Sequence, residues 1–375
     1  MLASDEPGRT RDIDLVMVTG AGASREFGVN GVKLPLMGDW SDALVSKLGA
    51  AGQYLQATGL RREMSGEAFE AQLGKFLKQV EAFRQVKDLL VPSVQFQDFG
   101  PATQMMSATG VLDQWYSQAV GHFDRIIEMI RESLYELFAD PSADLDAAAS
   151  AYGGLFQSLG IGPGETLVYA TTNYDSIGEH GIRRNGGLPD WGQPPALGNE
   201  AELRLAVPGL LNGLGRYVPV LHLHGRVGWY RRGDGRVYAT NVTRHQEGFG
   251  IPIVMLPDPG KVYDQDDIIN SLWQQFAEAL ARARRVLVLG HSLNDSFLLR
   301  ALIQNVQPFD RIAVTVLEDE QDQDQPHQSA GPVLAKISQN LGNAAIIPMR
   351  FGSSPDAGIK GLRKWQEGLA GDGLL

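Results

Sequence analysis

Short, nearly continuous apolar runs that break at a glycine or polar turn recur along this chain. They span Ile13 to Thr19, Thr166 to Thr171, Val218 to Leu223, Arg285 to Leu289, Ile312 to Leu317 and Ala344 to Pro348. A strand covered on both faces has no solvent side to keep polar, so runs of this kind predict the buried strands of a parallel sheet. Between them, apolar residues recur every three to four positions over Asp39 to Leu48, Ile268 to Arg284, Asp295 to Asn305 and Pro332 to Leu341, the pattern of helices that cover such a sheet. The expectation is an α/β fold with a doubly wound parallel sheet of about six strands.

From about residue 50 to residue 160 the pattern changes. Glu67 to Leu90, Leu112 to Phe138 and Ala143 to Leu159 read as helices with no strand between them, so a helical insertion or subdomain is expected within a single domain spanning 1–375. Val91 to Gly110, with Pro92, Gly100 and Pro101, reads as a mobile connector or an ordinary surface loop. Asn185 to Gly215 is rich in Gly and Pro and separates two strands. Trp229 to Tyr238 alternates and turns at Asp234-Gly235, which predicts a small hairpin. Glu318 to Gln328 is an acidic, Gln-rich loop.

Composition narrows the function classes. The chain has 375 residues, 43% hydrophobic and 21% charged, which suits a globular protein with a sizeable core. A formal charge of −11, without a long basic run, disfavours a dedicated nucleic-acid groove. There is no cysteine, so neither a disulfide framework nor a Cys-ligated zinc can form. The polar N-terminus lacks a secretory pattern, and no apolar stretch reaches the roughly 20 residues of a membrane span, so a cytoplasmic protein without membrane attachment is expected.

Four of the apolar runs end in turns that carry candidate chemistry. Gly20-Ala21-Gly22-Ala23-Ser24 follows the first, where a close backbone approach and a helix N-terminus suit a pyrophosphate, a Cβ being in the way. Without the full dinucleotide fingerprint it reads equally as a plain strand-to-helix turn. Thr171-Thr172-Asn173-Tyr174-Asp175 follows the second; its Asn and Asp suit ribose hydroxyls, a water or a carboxamide, or they cap a turn and the next helix. Leu221-His222-Leu223-His224-Gly225 ends the third. Its histidines, two apart, share a face, but no acidic residue stands at a metal-ligand spacing. His224 at the strand tip suits a general base, and His222 a hydrogen-bonded core residue. Gly290-His291-Ser292-Leu293-Asn294-Asp295 follows the fourth, with Ser292 suited to a phosphate or ribose and Asp295 to a ribose or a helix cap.

In this order, GAGAS at Gly20 to Ser24, TTNYD at Thr171 to Asp175, LHLHG at Leu221 to Gly225 and GHSLND at Gly290 to Asp295 resemble the sirtuins (silent information regulator two type proteins), and within them bacterial sirtuin-like NAD hydrolases. Fainter likenesses are Leu34-Pro35, Phe69-Glu70 and Pro257 to Lys261. The resemblance implies a Rossmann-like fold with NAD, as substrate, across the sheet. Asn173 would position the attacking group and His224 would be the base. Gly20, Ala21, Gly22 and Ser24 would cradle the pyrophosphate, Thr172 and Asp175 the nicotinamide end, and Gly290, Ser292 and Asp295 the adenosine half. Protein-deacylating sirtuins carry four zinc-binding cysteines after the catalytic histidine; here no zinc is expected and the hairpin Trp229 to Tyr238 stands in that place.

The implied activity is therefore hydrolysis of NAD to ADP-ribose and nicotinamide, with a water held by Asn173 in place of an acyl oxygen. The resemblance also implies NAD depletion in antiphage defence, held in check by homo-oligomerisation or by a separate chain such as a ring-forming HerA-like ATPase or an Argonaute-like protein. The alternatives are a sensor that binds NAD or ADP-ribose without turnover, and a zinc-free deacylase.

Overall fold

The computed structural model describes residues 11–31, 33, 34, 44, 59, 66–90, 102–138, 143–162, 165–190, 200–202, 217–240, 250–256, 267–306, 311–316, 330–342, 344–349, 351, 352 and 355–367. The chain divides into two compact units, one of Met1–Leu36, Phe138–Met255 and Val262–Leu375, the other of Met37–Leu137 and Leu256–Lys261.

In the first unit, β1 (Leu15–Thr19), β2 (Leu167–Thr171), β3 (Leu188–Asp190), β5 (Tyr217–His222), β9 (Arg285–Leu289), β10 (Arg311–Val316) and β11 (Ala345–Pro348) form one seven-stranded sheet. Its order is β11-β10-β9-β1-β2-β5-β3, and every pairing is parallel. The six expected strands are all present. The seventh, β3, is an addition: three residues at the sheet edge, with Pro189 at its centre, give no apolar run to read.

Alternation of side chains along the strands builds two cores. Val16, Val18, Val168, Val286 and Val288 face one side and pack with Ile269, Leu272, Phe276 and Leu280 of α5 (Asp267–Arg282) and with Leu298 and Leu302 of α6 (Ser296–Asn305). Leu15, Met17, Tyr169, Leu287 and Leu289 face the other side. They pack with Tyr152 and Leu155 of α3 (Leu145–Ser158), Ile177 and Ile182 of α4 (Ile177–Arg184), and Leu362 and Trp365 of α8 (Pro355–Gln366). Helix α7 (Ala330–Asn340) contributes Val333 and Ile337 to the first core. A sheet with helices on both faces is doubly wound, and strand order reverses around β1, the kind of point at which such sheets open a crevice beyond the strand ends.

The expected hairpin is part of something larger. β4 (Glu200–Glu202), β7 (Val237–Thr240), β6 (Gly225–Arg231) and β8 (Ile251–Val254) make an antiparallel sheet in the order β4-β7-β6-β8. β4, with two glutamates in three residues, carries no apolar signal. β6 begins two residues after β5 ends, so the chain passes from the large sheet to the small one through Leu223 and His224. Gly225 takes φ +82 at this passage, and a Cβ there would strike the carbonyl of Ile253, so only glycine serves.

The second unit contains the long helices α1 (Gly66–Leu90) and most of α2 (Ala102–Phe138). Phe69, Leu73, Phe76, Val80, Ile126, Ile130 and Leu134 are buried, and Phe83 stacks on Tyr116 at 5.1 Å. Helix α2 starts at Ala102, so the last part of the expected connector Val91 to Gly110 is helical; 91–101, the expected helix over 39–48 except Leu44, Pro35, most of the irregular 185–215 stretch, 257–261 and the acidic loop lie outside the described residues. Among the described residues no helix is long and apolar enough to cross a membrane.

Candidate active site

The four motif-bearing strands lie side by side, in the order β9-β1-β2-β5. Their carboxyl ends are in register: Thr19 pairs with both Leu289 and Thr171, and Thr171 with His222. Parallel pairing thus brings residues from positions 20, 173, 224 and 290 to one edge of the sheet.

The glycine loop does something other than what its composition suggests. Gly20 N–H donates to Leu289 O at 3.0 Å, Gly22 N–H to Gly290 O at 2.9 Å, Ala23 N–H to Gly20 O at 2.9 Å and Ser24 N–H to Ala21 O at 3.2 Å. Ala21 is the member of the loop whose N–H makes no backbone bond among the described residues. A Cβ on Gly20 would come within 2.7 Å of the His291 ring, and one on Gly22 within 2.9 Å of Gly290 O. Contact between two loops of the protein is therefore enough by itself to demand glycine at both positions.

Asn173 is the most constrained polar residue at this edge. Its N–H donates to Thr171 Oγ1 at 3.0 Å, and its side-chain Nδ2 donates to Gly20 O and to Ser24 Oγ, both at 3.0 Å. Since a backbone carbonyl can only accept, the amide must turn its nitrogen to Gly20. Its Oδ1 makes no hydrogen bond to protein among the described residues. Thr171 Oγ1 belongs in turn to a buried set with Thr19 Oγ1 (2.9 Å) and Tyr169 OH (2.7 Å from Thr19), where burial drives the Tyr169 phenol up to about 12.

Asp175 Oδ1 accepts from Ile177 N–H at 3.0 Å, so it caps α4, the plainer of its two sequence readings. Burial raises its carboxyl above the usual range, against the lowering effect of the Ile177 N–H and the Ser24 hydroxyl.

His224 is 7% exposed and its Nε2 lies 2.6 Å from Asp295 Oδ2. Its carbonyl accepts from Met255 N–H at 2.7 Å, and the rings of Tyr174 and Trp273 flank it at 6.5 and 6.4 Å. The second Asp295 oxygen accepts from Phe297 and Leu298 N–H at 2.8 and 3.2 Å, capping α6. The Asp295 carboxylate is thus shared between a histidine and a helix N-terminus. Ser292 is exposed and its hydroxyl accepts from Asn294 N–H at 3.4 Å. Thr172 Oγ1 lies 3.4 Å from Thr19 O. Leu293, within the same turn, takes φ 55 although fully buried, a left-handed conformation that a branched side chain adopts at a cost.

Two charged residues that sequence reasoning missed lie behind Asn173. Glu179 of α4 and Arg226 of β6 are 2% and 8% exposed, and Arg226 Nε reaches Glu179 Oε1 at 2.7 Å and its NH2 reaches Oε2 at 3.2 Å. His222, with no exposed surface, sets Nε2 2.6 Å from the same Oε1 and Nδ1 3.3 Å from Asn173 O. Burial raises the Glu179 carboxyl, but the Arg226 charge and the His222 hydrogen bond outweigh it, and the net shift is downward. Among the described residues, no three His, Cys, Asp or Glu side chains gather as a metal site.

No family model matches the chain, and no curated protein matches it. Solved structures give distant likenesses. A Sir2 homolog in complex with NAD is 14% identical, with 94% of this chain and 90% of that one covered and a TM-score of 0.37. Sir2Tm bound to a propionylated peptide is 11% identical, with 95% and 94% covered and a TM-score of 0.32. Both scores fall below 0.5.

Proposed function

We propose that this chain binds NAD at the β9-β1-β2-β5 edge and hydrolyses the nicotinamide–ribose bond. The observation that carries the reading is the fixed amide of Asn173. Both of its Nδ2 contacts are to acceptors within the protein, so Oδ1 is held as an acceptor for a water or a ribose hydroxyl. His224, with Nε2–H directed at Asp295, keeps its basic lone pair on Nδ1 in the neutral ring. An acceptor that aims a nucleophile and an oriented base that takes its proton are the two groups this reaction requires.

The chemistry needs little more. The C1′–N bond breaks with its electron pair going to the pyridinium nitrogen, so a cationic leaving group departs neutral and no acid need protonate it. The water oxygen bonds to C1′ and gives its proton to His224, leaving ADP-ribose, nicotinamide and a proton. Ala21, Thr172, Gly290 and Ser292 border the same edge and are assigned to the rest of the dinucleotide, with the Ala21 N–H as the available backbone donor of the glycine loop.

Purified protein incubated with NAD and no acylated peptide is expected to release nicotinamide. Release that requires an acylated peptide would instead identify a deacylase, and binding without release a sensor. An enzyme that consumes NAD unchecked would harm its own cell. We therefore assign it to a controlled effector role such as antiphage defence, with self-assembly or a separate ATPase or Argonaute-like chain as the control. Sedimentation with and without the products of neighbouring genes tests this, and a constitutively active monomer would contradict it.

A further inference from the structure

Resting on the assignment of Asn173 above, we propose that Glu179, His222 and Arg226 form a buried clamp that positions Asn173, with His222 held as the imidazolium. The proton count follows from the partners. Nδ1 of His222 faces a backbone carbonyl, Asn173 O, and Nε2 faces Glu179 Oε1. A carbonyl can only accept, and Glu179 Oε1 also receives Arg226 Nε at 2.7 Å, so it is an ionised carboxylate oxygen that accepts twice. Both ring nitrogens must then donate, which only the protonated ring can do.

The charges around the ring are arranged for this. From α4 comes Glu179, from β6 comes Arg226, and from the loop after β2 comes Asp175, whose carboxylate is stabilised by the His222 charge. Two cations and two carboxylates thus face one another, with Glu179, His222 and Arg226 buried. The Trp229 ring, edge-on at 5.5 Å, closes the remaining side.

The clamp completes the restraint of Asn173. Thr171 holds its N–H, Gly20 and Ser24 hold its side chain, and His222 holds its carbonyl; the reactive Oδ1 is left with no freedom to drift. None of the three clamp residues is assigned contact with NAD, so their part is positioning.

The test begins with the unaltered protein carrying 15N-labelled histidine. His222 is expected to show two protonated ring nitrogens, as its two acceptor partners require. A single protonated nitrogen would overturn the proposal. Glu179→Gln, which keeps shape and removes charge, is expected to shift the Asn173 side-chain amide resonance. It should also lower kcat by about tenfold to a hundredfold while KM for NAD stays within about twofold. An unmoved amide resonance, or wild-type kcat, would overturn it. The nitrogen and amide signals are read without turnover, so an inactive wild-type protein would count against the hydrolase assignment while the clamp is still tested.

Discussion

Nε2 of His224 stands 2.6 Å from Oδ2 of Asp295, a residue 71 positions further along the chain that also caps the helix starting at Ser296. One carboxylate therefore fixes both the tautomer of the proposed base and the start of α6. Asp295→Asn separates the two tasks, because asparagine still caps a helix but does not stabilise an imidazolium. Nicotinamide release is expected to fall about a hundredfold or more, with the melting temperature nearly unchanged. Wild-type turnover in the Asp295→Asn protein would remove His224 from the chemistry.

Asn173 separates orientation from bulk. Asn173→Ala loses the acceptor and should abolish turnover while NAD binding, followed by calorimetry, persists. Asn173→Asp is expected to be worse, since a carboxylate oxygen would face Gly20 O, acceptor against acceptor, at a cost of about 1–3 kcal/mol. Denaturant unfolding of the two variants checks the order.

Gly225 offers a backbone test. At φ +82, with Ile253 O where a Cβ would go, Gly225→Ala is expected to lose at least about 1–2 kcal/mol and to displace the adjacent His224. Activity should fall more than stability explains. Equal losses in both would mean that His224 tolerates movement.

Two carboxylates, the buried Glu179 and the half-buried Asp175, should respond oppositely to pH. The folded Glu179 is shifted below its ordinary 4.5, so its contribution to stability is complete above that value and is lost as pH falls through the lower folded one. Asp175 is shifted above 3.8, so its contribution is present below 3.8 and is lost as pH rises through the folded value. Near neutrality, then, Glu179→Gln breaks a buried pair and should cost about 3 kcal/mol, whereas Asp175→Asn should leave stability equal or higher. Thermal melts from about pH 2 to 7 distinguish this from two ordinary surface carboxylates, which would give parallel curves.

The long parallel strands were legible because burial on both faces forces continuous apolar runs, and the ends of those runs located Asn173 and His224. β3 and β4 were not, since a three-residue edge strand around Pro189 and a strand with glutamates at both ends have no hydrophobic face to announce them. Helix α4 was anticipated only as the next helix that Asn173 or Asp175 would cap, without bounds of its own. Its eight residues include two glycines and three basic side chains, and it exists here by packing Ile177 and Ile182 against the sheet. The clamp was invisible for a different reason: Glu179 pairs with residues 43 and 47 positions away, and nothing local marks a charge as buried. The close approach of Gly290 and His291 to the glycine loop could not be read either, because only the fold brings those residues near.

The passage through His224 from one sheet to the other also separates what must be kept from what can change. Near that passage the small sheet is tied down by Gly225 and Met255, while its far turn, Gly233-Asp234-Gly235, is exposed. That turn can therefore be lengthened, or can carry a dye or an affinity tag, without a residue of the proposed site feeling it.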